Sequence, residues 1–327
     1  MKKIFLVFFI VFFSMASSAN NHYPRSAIDN MMATYSFYIG QLISVEKIIE
    51  MYPSLKTEIT SAQNMWNIKF RSSAENIISE LKSYFDQQGI DIENELISTV
   101  KQIDFSKLSY EEAKAAVSTI LDRAEGNMPS PFIETLLAFN PTYQAIPEKE
   151  IIDGYFKEYY TIESSKSQGL SIKIKYPKSW NAENGDRPHV VQKFTCNSAN
   201  GYVIAMILIN KLDGIPPKED IKELLSEDGL IYQVPEKSKV LSTNTNLTMD
   251  NLMAASITFY YEQPQMNLNL GMMCESYILY YKDYQITLMF QTGSTADKYE
   301  ESEKRFQTYK GLFWQMANNM VILSQYE

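Results

Sequence analysis

A polar stretch near the middle of the chain, WNAENGDRPH, includes side chains from which active sites and docking surfaces are built. Five of them carry a charge, an aromatic ring or an imidazole: Trp180, Glu183, Asp186, Arg187 and His189. Histidine titrates near neutral pH, so His189 could act as a general base that Glu183 or Asp186 orients. Cys196 or Ser198 would then be the nucleophile of a hydrolase.

The same stretch is also typical of an ordinary connection between strands. Gly185 and Asp186 favour a turn, Pro188 restricts the chain before the next strand, and Trp180 is expected to pack beneath the turn. The sequence contains no G-x-S-x-G nucleophile motif. We therefore interpret the stretch as a connection that a partner could contact, with catalysis by His189 as the least favoured alternative.

Paired tyrosines suggest a second part of an interaction surface. They occur at 159–160, 260–261 and 280–281. Tyrosine is enriched at interfaces because its ring is apolar while its hydroxyl can stay hydrated. Neighbouring residues of a strand point to opposite faces, so one tyrosine of each pair could share a surface. Tyr260 and Tyr280 are the candidates, beside Trp180, Asp186, Arg187 and His189.

The two cysteines, Cys196 and Cys274, lie in or beside predicted strands of the same half of the chain. They allow either one disulfide, which an oxidising compartment would favour, or two buried thiols. Two cysteines and two histidines cannot form a typical zinc site unless nearly all of them converge. We expect no metal and no cofactor.

The first 19 residues predict a secretory signal peptide. Met1-Lys2-Lys3 is basic, an apolar run of about 12 residues follows, and small residues precede a cleavage site near Ala19. An uncleaved anchor is the alternative, but the run is shorter than the roughly 20 residues that span a bilayer. The sequence thus predicts a periplasmic or secreted protein without a transmembrane segment after cleavage.

The charge balance disfavours two classes of partner. The formal net charge is −9, from 30 basic and 39 acidic residues, and basic residues are not clustered. Such a chain is a poor candidate for binding nucleic acid or an anionic membrane surface. We expect its partner to be another envelope or secreted protein.

Hydrophobic periodicity divides the mature chain into two parts. Residues 20–160 show helical spacing and predict a bundle, including a long helix that Pro53 begins and a capping box at Ser109-Tyr110-Glu111-Glu112. A Ser- and Gly-containing linker is predicted at 161–169. From 170 to 327 the period becomes two, which predicts a mainly antiparallel sheet covered by helices. The fold class is therefore α + (α+β).

Several elements of the second part can be predicted individually. Strands are expected at 170–175, 190–195, 202–209, 239–244, 252–262, 272–281 and 285–291. Lys282-Asp283 is typical of a hairpin turn, and the apolar run 202–209 of a strand covered on both faces. One helix is expected from Pro216 to Gly229, and a final helix after the capping pattern Ser294-Thr295-Ala296-Asp297.

The run IKYPKSWNAENGDRPHVVQKF, followed by an apolar strand, a helix, a hairpin meander and a closing helix, resembles the PsbP-like fold. This α/β/α sandwich is named after an extrinsic protein of photosystem II and recurs in bacterial envelope proteins. The resemblance covers about 165–323 and implies a fold that mostly binds partners. It assigns no site residue, and the helical part resembles no family.

Three functions are compatible with these observations. The first is an exported, non-catalytic binding protein that acts through protein–protein contacts in the cell envelope, in an assembly, adaptor or immunity-type role. The alternative is a periplasmic small-molecule or lipid carrier with a pocket between bundle and sheet. The third is the hydrolase that would use His189.

Overall fold

The computed structural model describes residues 23–86, 88–196, 202–265 and 268–326. The predicted signal peptide, its cleavage site near Ala19, and Ser198 lie outside the described residues. None of the described helices combines the length and the apolar composition that crossing a membrane requires.

The chain divides into two compact units, Met1–Leu136 and Leu137–Glu327. We had expected the boundary at the linker 161–169. That segment instead lies inside the second unit, because it joins two strands, Phe156–Tyr160 and Ile172–Pro177, that pair with each other. The mixed α+β composition predicted for the chain is confirmed.

The first unit is built from helices. They are α1 (Arg25–Met51), α2 (Lys56–Asp86), α3 (Ile92–Val100) and α4 (Tyr110–Ala124); the shorter α5 (Phe132–Ala138) contains the boundary. Pro53 begins a short 3-10 turn that leads into α2, as its fixed φ angle favours. The capping box predicted at the start of α4 is present, with Ser109 and Glu112 bonded reciprocally.

The apolar stripe predicted along α2 forms the core of this unit. Its buried members are Leu55, Ile59, Ala62, Trp66, Phe70, Ile77 and Leu81. The ring of Tyr38 in α1 stacks on Trp66 with the centroids 5.1 Å apart. The stripe ends at Phe85, one full turn after Leu81, while the neighbouring Tyr84 is half-buried.

The second unit begins with two short helices and a small sheet. α6 (Pro141–Ala145) and α7 (Glu148–Ile152) precede β1 (Phe156–Tyr160), which pairs with β2 (Ile172–Pro177). β2 also pairs with the last strand, β10 (Val321–Ile322), in the order β1-β2-β10. The bundle predicted as far as residue 160 therefore ends earlier, since β1 takes its structure from pairing with β2.

A larger antiparallel sheet forms the centre of the second unit. Its strands are β3 (Asn181–Asn184), β4 (Val190–Thr195), β5 (Val203–Lys211), β6 (Lys239–Met249), β7 (Leu252–Gln265), β8 (Leu268–Tyr281) and β9 (Tyr284–Thr295). Their order is β3-β4-β5-β9-β8-β7-β6. The predicted turn at Lys282-Asp283 joins β8 to β9, with Tyr281 paired to Tyr284.

Helices cover both faces of this sheet. α10 (Tyr299–Asn318) buries Phe306, Phe313 and Met316 against one face, because their spacing places them on one side of the helix. The other face is covered by α8 (Lys218–Leu224) and α9 (Glu227–Ile231), where we had expected one continuous helix. The chain breaks there because Ser226 caps the start of α9 through a hydrogen bond from the Gly229 amide.

Two further predictions need correction. β5 is not covered equally on its two faces, since its residues alternate between buried and half-buried. The capping pattern predicted before α10 is not used either. Ser294 and Thr295 belong to β9, and Lys298 occupies the N-cap of α10 without a side-chain hydrogen bond.

Candidate interaction surface

The stretch WNAENGDRPH, residues 180–189, forms a hairpin with β4 at the edge of the large sheet. β3, which we had read as loop, pairs antiparallel with β4, and Gly185 lies in the turn between them. A Cβ at Gly185 would collide with Val190, so the close approach of the two strands requires glycine. Lys166 holds the turn by donating to the carbonyl oxygens of Gly185 and Arg187.

The charged residues of this hairpin do not converge on His189. Glu183 and Asp186 both form ion pairs with Lys193 on β4, at 3.3 Å and 3.6 Å. Arg187 and Asp186 are exposed, while His189 is half-buried. The turn is therefore a charged surface feature, and pairs of this kind contribute little to stability.

Trp180 lies in the core, not on a surface. Its ring is buried and lies 6.3 Å from that of Tyr309 on α10. The backbone beside it is fixed by Glu150 of α7, whose carboxylate accepts hydrogen bonds from the amide and the hydroxyl of Ser179, at 2.8 Å and 2.7 Å. Burial raises the pKa of Glu150 to about 7, although the bonds from Ser179 act to lower it.

Tyr260 and Tyr280 do not share a surface. Both are buried, and they belong to different hydrophobic clusters on opposite faces of the large sheet. Tyr260 makes an edge-on contact with Tyr299 near α10, at 4.8 Å between ring centroids. The hydroxyl of Tyr280 accepts a hydrogen bond from Gln285. The six predicted residues are thus dispersed between the core and one exposed turn.

The two cysteines, both in the described part of the chain, are buried and not joined by a disulfide. Cys196 follows β4 and packs in the cluster under α10, whereas Cys274 lies on β8 in the cluster of the other face. β5 and β9 separate the two strands. Three inter-strand spacings of about 4.8 Å place the cysteines much too far apart for a bond.

A different part of the second unit exposes apolar side chains. We call residues 213–236, which contain α8 and α9, the acidic helical surface. Its exposed apolar residues are Ile215, Leu224, Ile231 and Tyr232, which are 72%, 36%, 43% and 89% exposed. Leu224 lies next to α9, because Gln233 donates to the carbonyl oxygens of both Leu224 and Gly229.

This surface is strongly negative. Residues 213–236 contain seven acids and two lysines, a net charge of −5. Lys222 pairs with Glu219 at 3.0 Å. The other acids, Asp213, Asp220, Glu223, Glu227, Asp228 and Glu236, form no ion pair within the described residues.

The side of these helices that faces the sheet is well anchored. Leu225 and Leu230 are buried against Ile257, Phe259 and Cys274, so the exposed side is held on a rigid base. A sequence signal for this surface is the pair of runs Leu224-Leu225 and Leu230-Ile231-Tyr232, which contain more apolar residues than one buried side of two short helices can hold.

No protein-family model matches this chain, and no curated protein matches it significantly.

Proposed function

We propose that this protein is a non-catalytic binding protein whose docking site is the acidic helical surface. The observation that carries the proposal is the position of Tyr232, Ile231 and Leu224, exposed together among unpaired acids. Single exposed apolar residues are common, but several adjacent ones rimmed by charge are typical of protein interaction sites. The partner has a basic rim around an apolar centre.

The electrostatic part of the proposal concerns the rate and specificity of association. A surface with a net charge of −5 attracts a basic partner and repels acidic ones. Tyrosine at the centre of such a patch supplies a large contact area with few rotatable bonds. Binding by this surface should weaken as salt concentration increases.

The proposal also includes a compartment and a fold. The N-terminal sequence motivates export to the periplasm or the exterior, where the partner would be another envelope or secreted protein. The antiparallel sheet with helices on both faces supports a PsbP-like fold for the second unit. An assembly, adaptor or immunity-type role would use such a docking surface.

The test is capture of envelope proteins on the immobilised protein, followed by affinity measurements with the retained partner. Tyr232→Ser removes the most exposed ring, and Glu223→Lys reverses a charge beside Leu224. Each is expected to weaken binding by about tenfold or more, as for a central interface residue. Circular dichroism should be unchanged, because neither side chain contributes to the core.

Two matched variants in the first unit serve as controls. Ile68→Ser removes an apolar side chain that is 85% exposed, and Glu46→Lys reverses an exposed charge. Both should bind like the wild type. A partner whose affinity survives Tyr232→Ser and Glu223→Lys docks elsewhere, and substrate turnover without any retained partner would overturn the non-catalytic function.

A further inference from the structure

An arginine in the helical unit, Arg123, forms no ion pair with any acid of the described residues. Arg123 lies in the last turn of α4, and its guanidinium is placed over the ring of Phe37, 4.5 Å from the centroid. One hydrogen bond fixes it, from Nη1 to Oε1 of Gln41 at 2.9 Å. Arg123 as a whole residue is half-buried.

Buried amides hold Arg123 in this position. Gln41 and Gln63 are only 4% and 6% exposed. Nε2 of Gln41 donates to Oε1 of Gln63 at 3.0 Å, and Nε2 of Gln63 donates to Asn67 at 2.9 Å. Because each amide donates away from Arg123, the oxygen of Gln41 faces the guanidinium and orients it.

No carboxylate in the described part of the chain forms an ion pair with Arg123. Burial lowers the pKa of Arg123, and no acidic side chain offsets the loss of hydration. The negative end of the α4 dipole favours a cation here, but this effect is smaller than that of a paired carboxylate. Arg71 on α2, in contrast, pairs with Glu75 at 2.7 Å.

We propose that Arg123 is the anchor of a binding site for the carboxylate or phosphate group of a ligand. The guanidinium has five N–H donors in a planar fork, of which the described residues bind one. A planar or tetrahedral oxyanion can accept two parallel hydrogen bonds from such a fork. This site is independent of the acidic helical surface of the second unit.

The ring of Phe37 contributes to the selectivity of this site. It supports one face of the guanidinium, so the oxyanion must approach in the plane of the fork. Phe132 stacks on Phe37 with the centroids 4.6 Å apart, which fixes the ring. A ligand is therefore recognised through a bidentate contact at the edge of the guanidinium, which a halide ion cannot make.

The experiment is a titration of the full chain with sodium phosphate and with sodium acetate, at constant ionic strength set by sodium chloride. Binding is followed by the ³¹P or ¹³C linewidth of the anion and by the stability of the protein against urea. We expect either anion to bind and stabilise the wild type beyond chloride, since a ligand that binds the folded state raises its stability. Phosphate preference indicates a phosphate ester, and acetate preference a carboxylate ligand.

Variants separate this role from a structural one. Arg123→Gln and Arg123→Lys should weaken anion binding about tenfold or more, because lysine lacks the fork. Arg71→Gln, the matched control, should bind as the wild type does. Gln41→Glu would place a carboxylate at the guanidinium, at the cost of the hydrogen bond that Gln41 donates to Gln63, and we expect the folded variant to lose anion binding.

Two outcomes would overturn the site. One is a wild type that distinguishes neither phosphate nor acetate from chloride. The other is an equal loss of binding in Arg71→Gln and Arg123→Gln, which would show a general effect of charge. In a Gln41→Glu protein that circular dichroism shows to be folded, unchanged anion binding would also reject the proposal.

Discussion

Burial favours the neutral form of a carboxyl group, and Glu150 is the residue where this effect has the clearest consequence. Its carboxylate fixes the backbone at Ser179, beside the buried Trp180. The pKa of Glu150 is raised from 4.5 to about 7 by burial. The protonation of Glu150 in α7 therefore affects the hydrogen bonds that hold the backbone between β2 and β3.

The pH dependence of stability follows from the protonation of Glu150 in the folded and the unfolded chain. Between pH 4.5 and about 7 the unfolded chain has lost the proton while the folded chain keeps it. Folding stability therefore falls as pH rises through this window, by roughly 3 kcal/mol, and does not change further above it. Below pH 4.5 both states are protonated and this contribution to stability is fully present.

We predict that Glu150→Gln removes most of this fall in stability. Glutamine keeps an acceptor for the Ser179 amide but cannot ionise, so the variant should exceed the wild type in stability at pH 8 and resemble it at pH 4.5. Urea unfolding at several pH values, followed by tryptophan fluorescence, measures the difference. Glu148→Gln on the same helix is the control and should keep the wild-type slope. An identical slope in Glu150→Gln would reject the assignment.

Among the helices, the end of α4 contributes to stability, and the exposed sides of α8 and α9 contribute to the proposed docking surface. The α4 helix begins at a capping box, where the Ser109 hydroxyl accepts from the Glu112 amide and the Glu112 carboxylate accepts from the Ser109 amide. α8 and α9 each bury one side on the sheet and expose apolar residues on the other. The first arrangement stabilises the chain, whereas the second makes a surface available to a partner.

We predict that Ser109→Ala weakens the start of α4 by about 1 kcal/mol, because an orphan amide loses its acceptor. Hydrogen exchange of the 110–117 peptide should then become roughly fivefold faster. Ser118→Ala makes the same change at an exposed position inside α4 and should leave exchange equal or slower, since alanine has the higher helix propensity. Equal effects of the two substitutions would contradict a capping role.

At the scale of the whole molecule, strand order determines which distant residues can react with each other. Cys196 and Cys274 both lie beside strands of one sheet, and the sequence left a disulfide open. The order of the sheet places β5 and β9 between them, and the two side chains face opposite clusters. The cysteines are therefore separate, buried thiols in the structure.

We predict that the protein, unfolded without reductant and alkylated, gains two alkyl groups in intact-mass measurements, one for each cysteine. The folded protein should react slowly, since both thiols are buried and burial raises the pKa of Cys274. Cys274→Ser should gain a single group. Finding no alkylation until a reductant is added would contradict the strand order.

Residue types alone did not identify which aromatic side chains are exposed. Trp180, Tyr260 and Tyr280 were selected because aromatic residues are common at interfaces, and all three are buried. The alternation of apolar residues places the two tyrosines on strands, but it does not tell which face of the sheet is covered by helices. Tyr232, which belongs to the proposed surface, follows a short helix whose pattern also fits a buried segment.

Local patterns in the sequence predict the long helix α2, the capped start of α4, the β8–β9 turn and the final helix α10. These depend on residues three, four or two positions apart, and on caps and turns of a few residues. The sequence patterns do not show that β1 belongs to a sheet, that the cysteines lie apart, that Tyr232 is exposed or that Arg123 forms no ion pair with a carboxylate of the described residues. Each of these depends on contacts between residues far apart in the chain, which no local spacing encodes.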